Sequence, residues 1–440
     1  MPALRRQRRW QHALRLLFGL RGLDFVPDAM AFGATLSACS MSLKWQHAVT
    51  LLKEMCKAGV STNVVSCTAA MNACERSRHW QRALGLLGGM YVQEVTPNTV
   101  TYTVAISSCE KGQHWQGALA LLAEVHARDL QPDIINYSSA ISALEKGQQW
   151  RRGLALLKDV CTRRVTPDIV IFNATISACE KGHQWEWALE LVAESRRRRL
   201  MPDVVTCNTT ITACANSRCW EQAWMLLTGK LFPKVKPNEV SYNSAIVACG
   251  RSQHWERAVG LVTAMQRQQV LPNVITYSAA ISACERGEQC DMALGLLAEM
   301  KHKQLEPNVV TINSAVSACE KGHLWEQALA LLLEVRPRGP AHEVLISHAA
   351  AAAACEKAHQ WQQTLDLLEQ AYSAGLAPDA IFHHAVIRAC ERGHRWQWTL
   401  ELLSRMSSSC CVPDAVMHGS AASACERGQQ WGPWLRQLRL

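Results

Sequence analysis

Residues 176–192 read ISACEKGHQWEWALELV, and versions of this segment recur along the chain at one fixed spacing. Each version carries a tryptophan 35 residues from the next, and the series is Trp10, Trp45, Trp80, Trp115, Trp150, Trp185, Trp220 and Trp255. Cys290 takes the next position, Trp325 resumes the series, and Trp361, Trp396 and Trp431 follow after a slip of one residue. A period of this size is typical of stacked repeats, in which each unit buries its apolar face against its neighbours.

Composition is consistent with one long array. A globular chain of 440 residues would divide into about three domains, yet no Gly/Ser/Pro-rich linker interrupts the repeat between Trp10 and Trp431. No uncharged stretch approaches the ~20 residues that span a bilayer, so we expect no membrane partner. A net charge of +9, from 46 basic and 37 acidic residues, favours a polyanionic partner.

Cysteine usage points to buried thiols. Eleven of the 19 cysteines occupy one position of the repeat, namely Cys39, Cys74, Cys109, Cys179, Cys214, Cys249, Cys284, Cys319, Cys355, Cys390 and Cys425. A single cysteine per repeat has no partner inside its own unit. We therefore expect free thiols at close helix contacts and a reducing compartment, rather than disulfides or metal ligands.

One repeat predicts two helices. We number 35 slots from the residue after a recurrent Pro-Asp or Pro-Asn pair, in which proline stops one helix and Asp or Asn caps the next. Apolar residues at slots 1, 4, 8 and 11 share one face of helix A. Glycine at slot 14, as in Gly112 and Gly147, predicts a left-handed turn. Helix B carries tryptophan at slot 17, a small residue at slot 20 and paired leucines, and we expect its Trp and Leu stripe to be core.

The repeats predict an all-α, right-handed α-solenoid of about twelve helix-turn-helix units. Eleven full units begin at Ala29, Val64, Thr99, Ile134, Ile169, Val204, Glu239, Val274, Val309, Leu345 and Ala380, and half units flank them. The slip lies at residues 336–344, which read RPRGPAHEV. We divide the chain into residues 1–28, residues 29–344 with well-formed polar slots, and residues 345–440, whose repeats are degenerate and end in a half unit.

The first 28 residues allow two interpretations. Six arginines and no acidic residue precede Asp24, a composition typical of organelle transit peptides. Trp10, Ala13 and Leu17 nevertheless match helix B of a repeat. Residues 1–28 are therefore a transit-peptide-like segment or half a repeat, the latter including the case of a truncated N-terminus.

The 35-residue hairpin with VVTCNTTITAC at 204–214, WEQAW at 220–224 and a following Pro-Asn pair resembles the pentatricopeptide repeat family. The resemblance covers nearly the whole chain. It implies binding of single-stranded RNA at about one base per repeat, with slots 5 and 35 reading the base edge and slot 2 residues clamping the base. It also implies a role in RNA processing, stabilisation, editing or translation in a chloroplast or mitochondrion.

Slots 5 and 35 hold short polar side chains that could reach a base edge. Transferred to this chain, the family's code pairs Thr68 with Asn98 for A, Thr103 with Asp133 and Ser138 with Asp168 for G, Asn173 with Asp203 for U, Asn208 with Asn238 and Asn243 with Asn273 for a pyrimidine, and Ser278 with Asn308 for A. The implied RNA site is 5′-AGGUYYA-3′. Asp and Asn also cap helices equally well, so slot 35 could serve as an N-cap alone.

Slot 2 is apolar and β-branched in eight consecutive repeats, at Val65, Val100, Ile135, Val170, Val205, Val240, Ile275 and Val310. A solvated helix face does not require such residues. Contact with a base explains them, and packing between adjacent helices A is the alternative.

Slot 13 is basic, and we predict phosphate contacts for Arg76, Lys111, Lys146, Lys181, Arg286 and Lys321. A row of cations beside the base-reading slots would neutralise phosphates and make binding salt-dependent. The alternative is a solvated cation that interacts with the helix dipole.

No catalytic constellation is recognisable. His254 and Glu256 form an H-x-E, but no C-x-x-C accompanies them, and no phosphate loop or nucleophile elbow occurs. We therefore expect no enzyme, cofactor or metal, and a monomer that could recruit an RNA-processing enzyme. The alternative function is a helical scaffold for a protein or peptide, whose groove should be more aromatic or apolar.

Overall fold

The computed structural model describes residues 10–17, 28–163, 165–228, 235–334, 341–408 and 414–427. Within these ranges all regular structure is helical. The helices are α1 (residues 10–17), α2 (Ala29–Met41), α3 (Trp45–Lys57), α4 (Val64–Arg76), α5 (Trp80–Val92), α6 (Thr99–Lys111), α7 (Trp115–Ala127), α8 (Ile134–Lys146), α9 (Trp150–Thr162), α10 (Ile169–Lys181), α11 (Trp185–Arg197), α12 (Val204–Asn216), α13 (Trp220–Leu227), α14 (Glu239–Arg251), α15 (Trp255–Arg267), α16 (Val274–Arg286), α17 (Cys290–His302), α18 (Val309–Lys321), α19 (Trp325–Glu334), α20 (Ala341–Lys357), α21 (Trp361–Ser373), α22 (Ala380–Arg392), α23 (Trp396–Ser408) and α24 (Ala415–Arg427).

The helices stack in one repeating order inside each of two compact units, Met1–Ala213 and Cys214–Leu440. In the first unit, helices A follow one another as α2, α4, α6, α8 and α10, and each helix B from α3 to α9 packs against its own helix A and the next. In the second unit, α14, α16, α18, α20, α22 and α24 stack in the same way, with α15, α17, α19, α21 and α23 as helices B. This order confirms the predicted all-α solenoid of helix-turn-helix repeats.

Helix A begins where the sequence predicts, because slot 35 caps it. The Asn98 side chain accepts a hydrogen bond from the Thr101 backbone N–H, and Asp168 accepts one from Ile171. A side chain of this kind contributes about 1 kcal/mol at a helix start. The same cap is formed by Asp28, Asn63, Asp133, Asp203, Asn238, Asn273, Asn308, Asp379 and Asp414.

The prediction for slot 14 is wrong. Gly112 and Gly147 cap helix A with φ of −85° and −84°, and the left-handed residues are the next ones, Gln113 and Gln148, with φ of 58° and 56°. Space, rather than backbone freedom, requires the glycine, because a Cβ on Gly147 would lie 2.3 Å from Cδ1 of Trp115. The tryptophan of one repeat thus lies directly against the end of the next helix A.

The described tryptophans of slot 17, from Trp10 to Trp396, are half-buried, which corrects the expectation that they belong to the core. The indole of Trp80 stacks on His114 of the following repeat, with ring centroids 4.1 Å apart and 13° between the planes. The Arg152 guanidinium covers Trp115 at 4.3 Å from the ring centroid. Among the helix B leucines, Leu121 and Leu122 are buried as predicted, whereas Leu86 is half-buried.

The core of each unit is built from slots 4, 8 and 11 of helix A and the leucines of helix B. Tyr102, Ile106 and Cys109 show this pattern and are fully buried. All eleven slot-11 cysteines are at most 1% exposed, and the described cysteines are free thiols, as predicted. Burial raises the pKa of the Cys179 thiol to about 12.

Helix α20 departs from the predicted boundary. It begins at Ala341, four residues before the predicted start at Leu345. The sequence before it lacks a Pro-Asp or Pro-Asn pair, and Glu343 in slot 35 joins the first helical turn, where a carboxylate is favourable near the helix N-terminus. Helix α13 is also short, since it ends at Leu227 after 8 residues.

Helix α1 is the part of the N-terminal segment that the structure describes. Leu17 is buried in it, and the Lys44 ammonium lies 5.8 Å from the Trp10 ring centroid. Residues 1–9 and 18–27, which carry the transit-peptide composition, lie outside the described residues. Among the helices that the structure describes, none is long and apolar enough to cross a membrane.

Candidate nucleic-acid interface

The eight slot 2 side chains are exposed in every repeat from the second to the ninth. Their exposed fractions range from 47% at Val240 to 70% at Val65. Packing between adjacent helices A would bury these residues, so the structure does not support that alternative. Regularly placed, exposed aliphatic side chains are typical of a surface that contacts a ligand. Five of them lie in the first unit, and the other three, Val240, Ile275 and Val310, lie in the second.

A slot 3 side chain connects the two predicted base-reading residues of a repeat. The Thr101 hydroxyl lies 2.9 Å from Asn98 Oδ1, which is slot 35, and 3.1 Å from the hydroxyl of Thr68, which is slot 5. Thr101 itself belongs to the next repeat and is fully buried. One buried hydroxyl therefore fixes both side chains that the family resemblance assigns to base reading.

The same bridge recurs in three further pairs. Thr276 lies 2.7 Å from Asn243 Oδ1 and 3.0 Å from Asn273 Oδ1. Thr206 connects Asn173 with Asp203, and Thr311 connects Ser278 with Asn308. Each bridge occupies an acceptor oxygen of slot 5 or slot 35. The Asn173 amide also donates to Asp203 and the Asn273 amide donates to Glu239, so one N–H group of each of these amides is left to face a base edge.

Two pairs depart from this arrangement. In the Thr103–Asp133 pair, Asn136 replaces the hydroxyl and donates its amide to Thr103 Oγ1 over 3.0 Å. In the Ser138–Asp168 pair, slot 3 is Ile171, and Ser138 donates to the Ile135 carbonyl instead. The side chain of Ser138 is therefore not held by its neighbouring repeat in this way.

The first and fifth pairs also differ in setting. Thr68 is only 9% exposed, and its hydroxyl donates to the Val64 carbonyl. Asn208 is half-buried on α12 in the first unit, and Asn238 caps α14 in the second unit.

Asp203 carries a stabilised negative charge. Burial alone would raise the pKa of its carboxyl group, but hydrogen bonds from the Thr206 backbone and hydroxyl and from the Asn173 amide lower the pKa below its usual value. Asn173 Nδ2 lies 3.3 Å from Asp203 Oδ1. The carboxylate therefore stays ionised at neutral pH and can accept a hydrogen bond from an N–H group of a base.

Most slot 13 lysines form ion pairs between repeats. Lys111 lies 2.6 Å from Glu75, and Lys146 lies 3.0 Å from Glu110. Lys181 and Lys321 pair in the same way with Glu145 and Glu285, at 2.8 and 3.4 Å. These lysines remain about one-third exposed, so contact with a phosphate stays a prediction in which a carboxylate competes for the cation.

Arg76 and Arg286 are different from these lysines. Slot 12 of the preceding repeat is Ser40 for Arg76 and Gly250 for Arg286, so no carboxylate faces either guanidinium from that slot. Both side chains are exposed, and neither forms an ion pair with the residues that the structure describes.

The described residues contain no group of three or more His, Cys, Asp or Glu side chains placed to hold a metal ion. The side chains gathered at the candidate interface are hydroxyls, amides, carboxylates, cations and aliphatic groups. They can bind a polar chain, and none of them forms a nucleophile–base pair.

Sequence reasoning missed the slot 3 bridge and the glutamate partner of slot 13. Both left a signal, since Ser, Thr or Asn fills slot 3 in most repeats and glutamate precedes most slot 13 cations. The contacts themselves join residues 33 or 36 positions apart, so only the stacking of repeats reveals them.

Family models match most of this array. A model described as PPR repeat family matches residues 167–216 and 237–286, one described as pentatricopeptide repeat domain matches 50–111 and 120–181, and one described as PPR repeat matches 31–60 and 275–305. Together these matches cover more than half of the chain. No curated protein sequence matches it.

A solved structure shows the same fold. The crystal structure of the pentatricopeptide repeat protein PPR10 from maize is 18% identical, covers 96% of this chain and 70% of that chain, and gives a TM-score of 0.55. The structure of PPR10 in complex with an 18-nt psaJ RNA element is 16% identical, covers 97% of this chain and 76% of that chain, and gives a TM-score of 0.42. The PPR domain of Arabidopsis thaliana protein-only RNase P 1 in complex with tRNA is 18% identical, covers 39% of this chain and 92% of that chain, and gives a TM-score of 0.33.

The 35-residue period, the stacked helical hairpins and the family matches agree with one another. The chain belongs to the pentatricopeptide repeat family.

Proposed function

We propose that this protein binds single-stranded RNA and selects its sequence base by base. The observation that carries the proposal is the exposed aliphatic residue at slot 2 of eight repeats, next to a pair of polar side chains at slots 5 and 35. An exposed aliphatic side chain has no reason to recur on a solvated helix. Contact with the face of a base would cover it while the polar pair meets the base edge.

RNA fits these slots better than a peptide does. Slot 5 carries only Thr, Ser or Asn from Thr68 to Asn313, and slot 35 carries only Asn or Asp from Asn98 to Asn308. A groove that binds protein is richer in aromatic residues and less uniform. A scaffold for protein–protein interaction is therefore the second candidate, and it is supported by the helical hairpin fold alone.

We propose that the protein performs no chemistry itself. It would act by masking or remodelling an RNA, or by recruiting a processing enzyme, as a monomer. Family membership and the arginine-rich first 28 residues support action in a chloroplast or mitochondrion on RNA processing, stabilisation, editing or translation.

The decisive experiment measures fluorescence anisotropy of labelled 5′-AGGUUUA-3′ and of a scrambled RNA of the same composition at near-physiological salt. We expect the first RNA to bind at least tenfold more tightly. Asn173→Thr should shift the preference at the fourth base from U toward G. Equal affinity for both RNAs would reject base reading, and absence of binding would favour the scaffold.

A further inference from the structure

An ion-pair ladder runs between consecutive helices A. The glutamate at slot 12 of one repeat contacts the cation at slot 13 of the next, as in Glu75–Lys111, Glu110–Lys146 and Glu145–Lys181. In the second unit the ladder is formed again by Glu285–Lys321 and continues with Glu320–Lys357. Each slot 13 cation in the ladder is partly neutralised by the carboxylate beside it.

The ladder is broken at the start of the second unit. Slot 12 is Ala215 in one repeat and Gly250 in the next, so neither repeat supplies a carboxylate. Arg251 instead donates to Asn216 Oδ1 over 2.7 Å and lies 3.4 Å from the Ala215 carbonyl. Arg286 has no ion pair within the described residues.

The break leaves a cationic pocket. A cavity of about 440 Å³ is lined by Asn216, Arg218, Arg251, Gln253 and Arg286. All five belong to the second unit, and the lining contains three guanidinium groups, two amides and no carboxylate. None of the three arginines forms an ion pair with a residue in the described part of the chain. The pocket therefore concentrates positive charge that the rest of the ladder cancels.

Guanidinium groups favour one class of ligand. Their planar N–H forks match the oxygens of a phosphate in paired, charge-assisted hydrogen bonds. Amide N–H groups such as those of Asn216 and Gln253 donate to the same oxygens. A pocket with these donors and no acceptor carboxylate suits a tetrahedral oxyanion.

We propose that the pocket lined by Arg218, Arg251 and Arg286 is a phosphate-binding site. Its ligand is either a phosphodiester of the bound RNA or a free phosphate group, and the first of these rests on the proposed function. Slot 13 lies eleven residues after slot 2, which is within about 20° of three full helical turns and roughly 16 Å along the axis. Arg251 and Arg286 therefore share a helix face with Val240 and Ile275.

The first test compares two charge-matched double variants by RNA anisotropy across a salt series. Arg251→Gln with Arg286→Gln should weaken binding at least tenfold, and the slope of log K against log salt should fall by about 1.4, which corresponds to two phosphate contacts on a single strand. Lys53→Gln with Lys57→Gln removes the same charge from two exposed lysines of α3, which are not among the predicted contact residues, and should cost at most threefold.

A third variant tests, without removing an arginine, whether the missing slot 12 carboxylate is the reason that the pocket binds phosphate. Ala215→Glu returns the ladder carboxylate opposite Arg251 and should weaken RNA binding in the same direction as the arginine variants. Circular dichroism of all variants checks that the helices are intact. Equal losses in the arginine and lysine variants would overturn a distinct RNA phosphate site.

The second test titrates inorganic phosphate into the RNA-free full-length protein by calorimetry in chloride buffer. Saturable binding that disappears in the arginine variant identifies a free phosphate as a ligand. An RNA effect without phosphate binding identifies the phosphodiester. If phosphate does not bind and the arginine variants do not weaken RNA binding, the proposal is overturned. The titration contains no RNA. It therefore shows whether the pocket binds free phosphate even if the protein proves to bind no RNA.

Discussion

The hydroxyl of Thr206 donates to Oδ1 of Asn173 over 2.6 Å and lies 2.8 Å from Oδ1 of Asp203. Thr206 belongs to the repeat after Asn173 and is fully buried, so its position is set by the stacking of the two repeats. The amide of Asn173 is thereby oriented with its nitrogen toward Asp203. We therefore predict that base selection by one repeat depends on a residue of the next.

Thr206→Val tests this dependence. The variant keeps the shape of the side chain and the backbone bond to Asp203, but it removes a hydrogen bond of about 1 kcal/mol to slot 5. We expect discrimination between U and G at the fourth base of 5′-AGGUUUA-3′ to fall about fivefold, since 1.4 kcal/mol corresponds to tenfold. Anisotropy titrations with 5′-AGGUUUA-3′ and 5′-AGGGUUA-3′ measure the ratio of the two dissociation constants.

Two controls separate the hydroxyl from general disturbance. Thr206→Ser retains the donor and should retain discrimination. Ile171→Val changes slot 3 where no bridge exists and should leave discrimination at the third base as it was. A Thr206→Val variant that discriminates as well as the unchanged protein would show that the bridge plays no part in reading.

Gly147→Ala should destabilise the first unit. Its φ of −84° permits alanine, but the added Cβ would lie 2.3 Å from Trp115 Cδ1. This atom belongs to a rigid aromatic ring and not to the end of a flexible side chain. Overpacking of this kind costs about 1–3 kcal/mol. Urea unfolding followed by far-UV circular dichroism measures the loss.

The matched control is Gly85→Ala, in the middle of α5. A Cβ there meets nothing within 4 Å. Because alanine is the better helix former, we expect a gain of about 0.5–1 kcal/mol. If Gly147→Ala were as stable as Gly85→Ala, contact with Trp115 would not be the reason for glycine at slot 14.

The sequence predicts the features that depend on neighbours along the chain. Slot 35 marks the start of helix A, because an Asp or Asn side chain accepts a hydrogen bond from the backbone N–H three residues later. Asn98 and Thr101 show this contact. The period of 35 residues likewise predicts eleven of the twelve helix A starts from Ala29 onward. The exception is α20, which has no cap signal and begins at Ala341.

Features that depend on stacking were missed or misread. Gly147 has an ordinary backbone and is explained only by Trp115, 32 residues earlier. Lys111 looks like a free cation in the sequence but pairs with Glu75, 36 residues earlier. The distance in sequence hides these contacts, although the repeat brings the same pair together again and again.

Thiol reactivity should divide by position in the repeat. Cys56 on α3 is exposed, whereas Cys179 is fully buried and burial raises the pKa of its thiol to about 12. Because the thiolate is the reactive form, iodoacetamide at pH 8 should modify Cys56 within minutes and leave Cys179 unmodified until the protein unfolds. Peptide mass spectrometry before and after addition of urea checks both sites. Rapid labelling of Cys179 in the native protein would contradict the buried contact.

Alkaline pH should destabilise the fold through the buried thiols. Unfolded Cys179 loses its proton near the usual pKa of about 9, whereas the folded thiol holds it to about 12. Between these values the unfolded state binds fewer protons, so the free energy of unfolding falls as pH rises, by about 1.4 kcal/mol per pH unit for each such thiol. Cys179→Ala should therefore reduce the slope of stability against pH between 9 and 11 by about that amount. Urea unfolding at several pH values measures it. An unaltered slope in Cys179→Ala would mean that this thiol titrates alike in the folded and unfolded states.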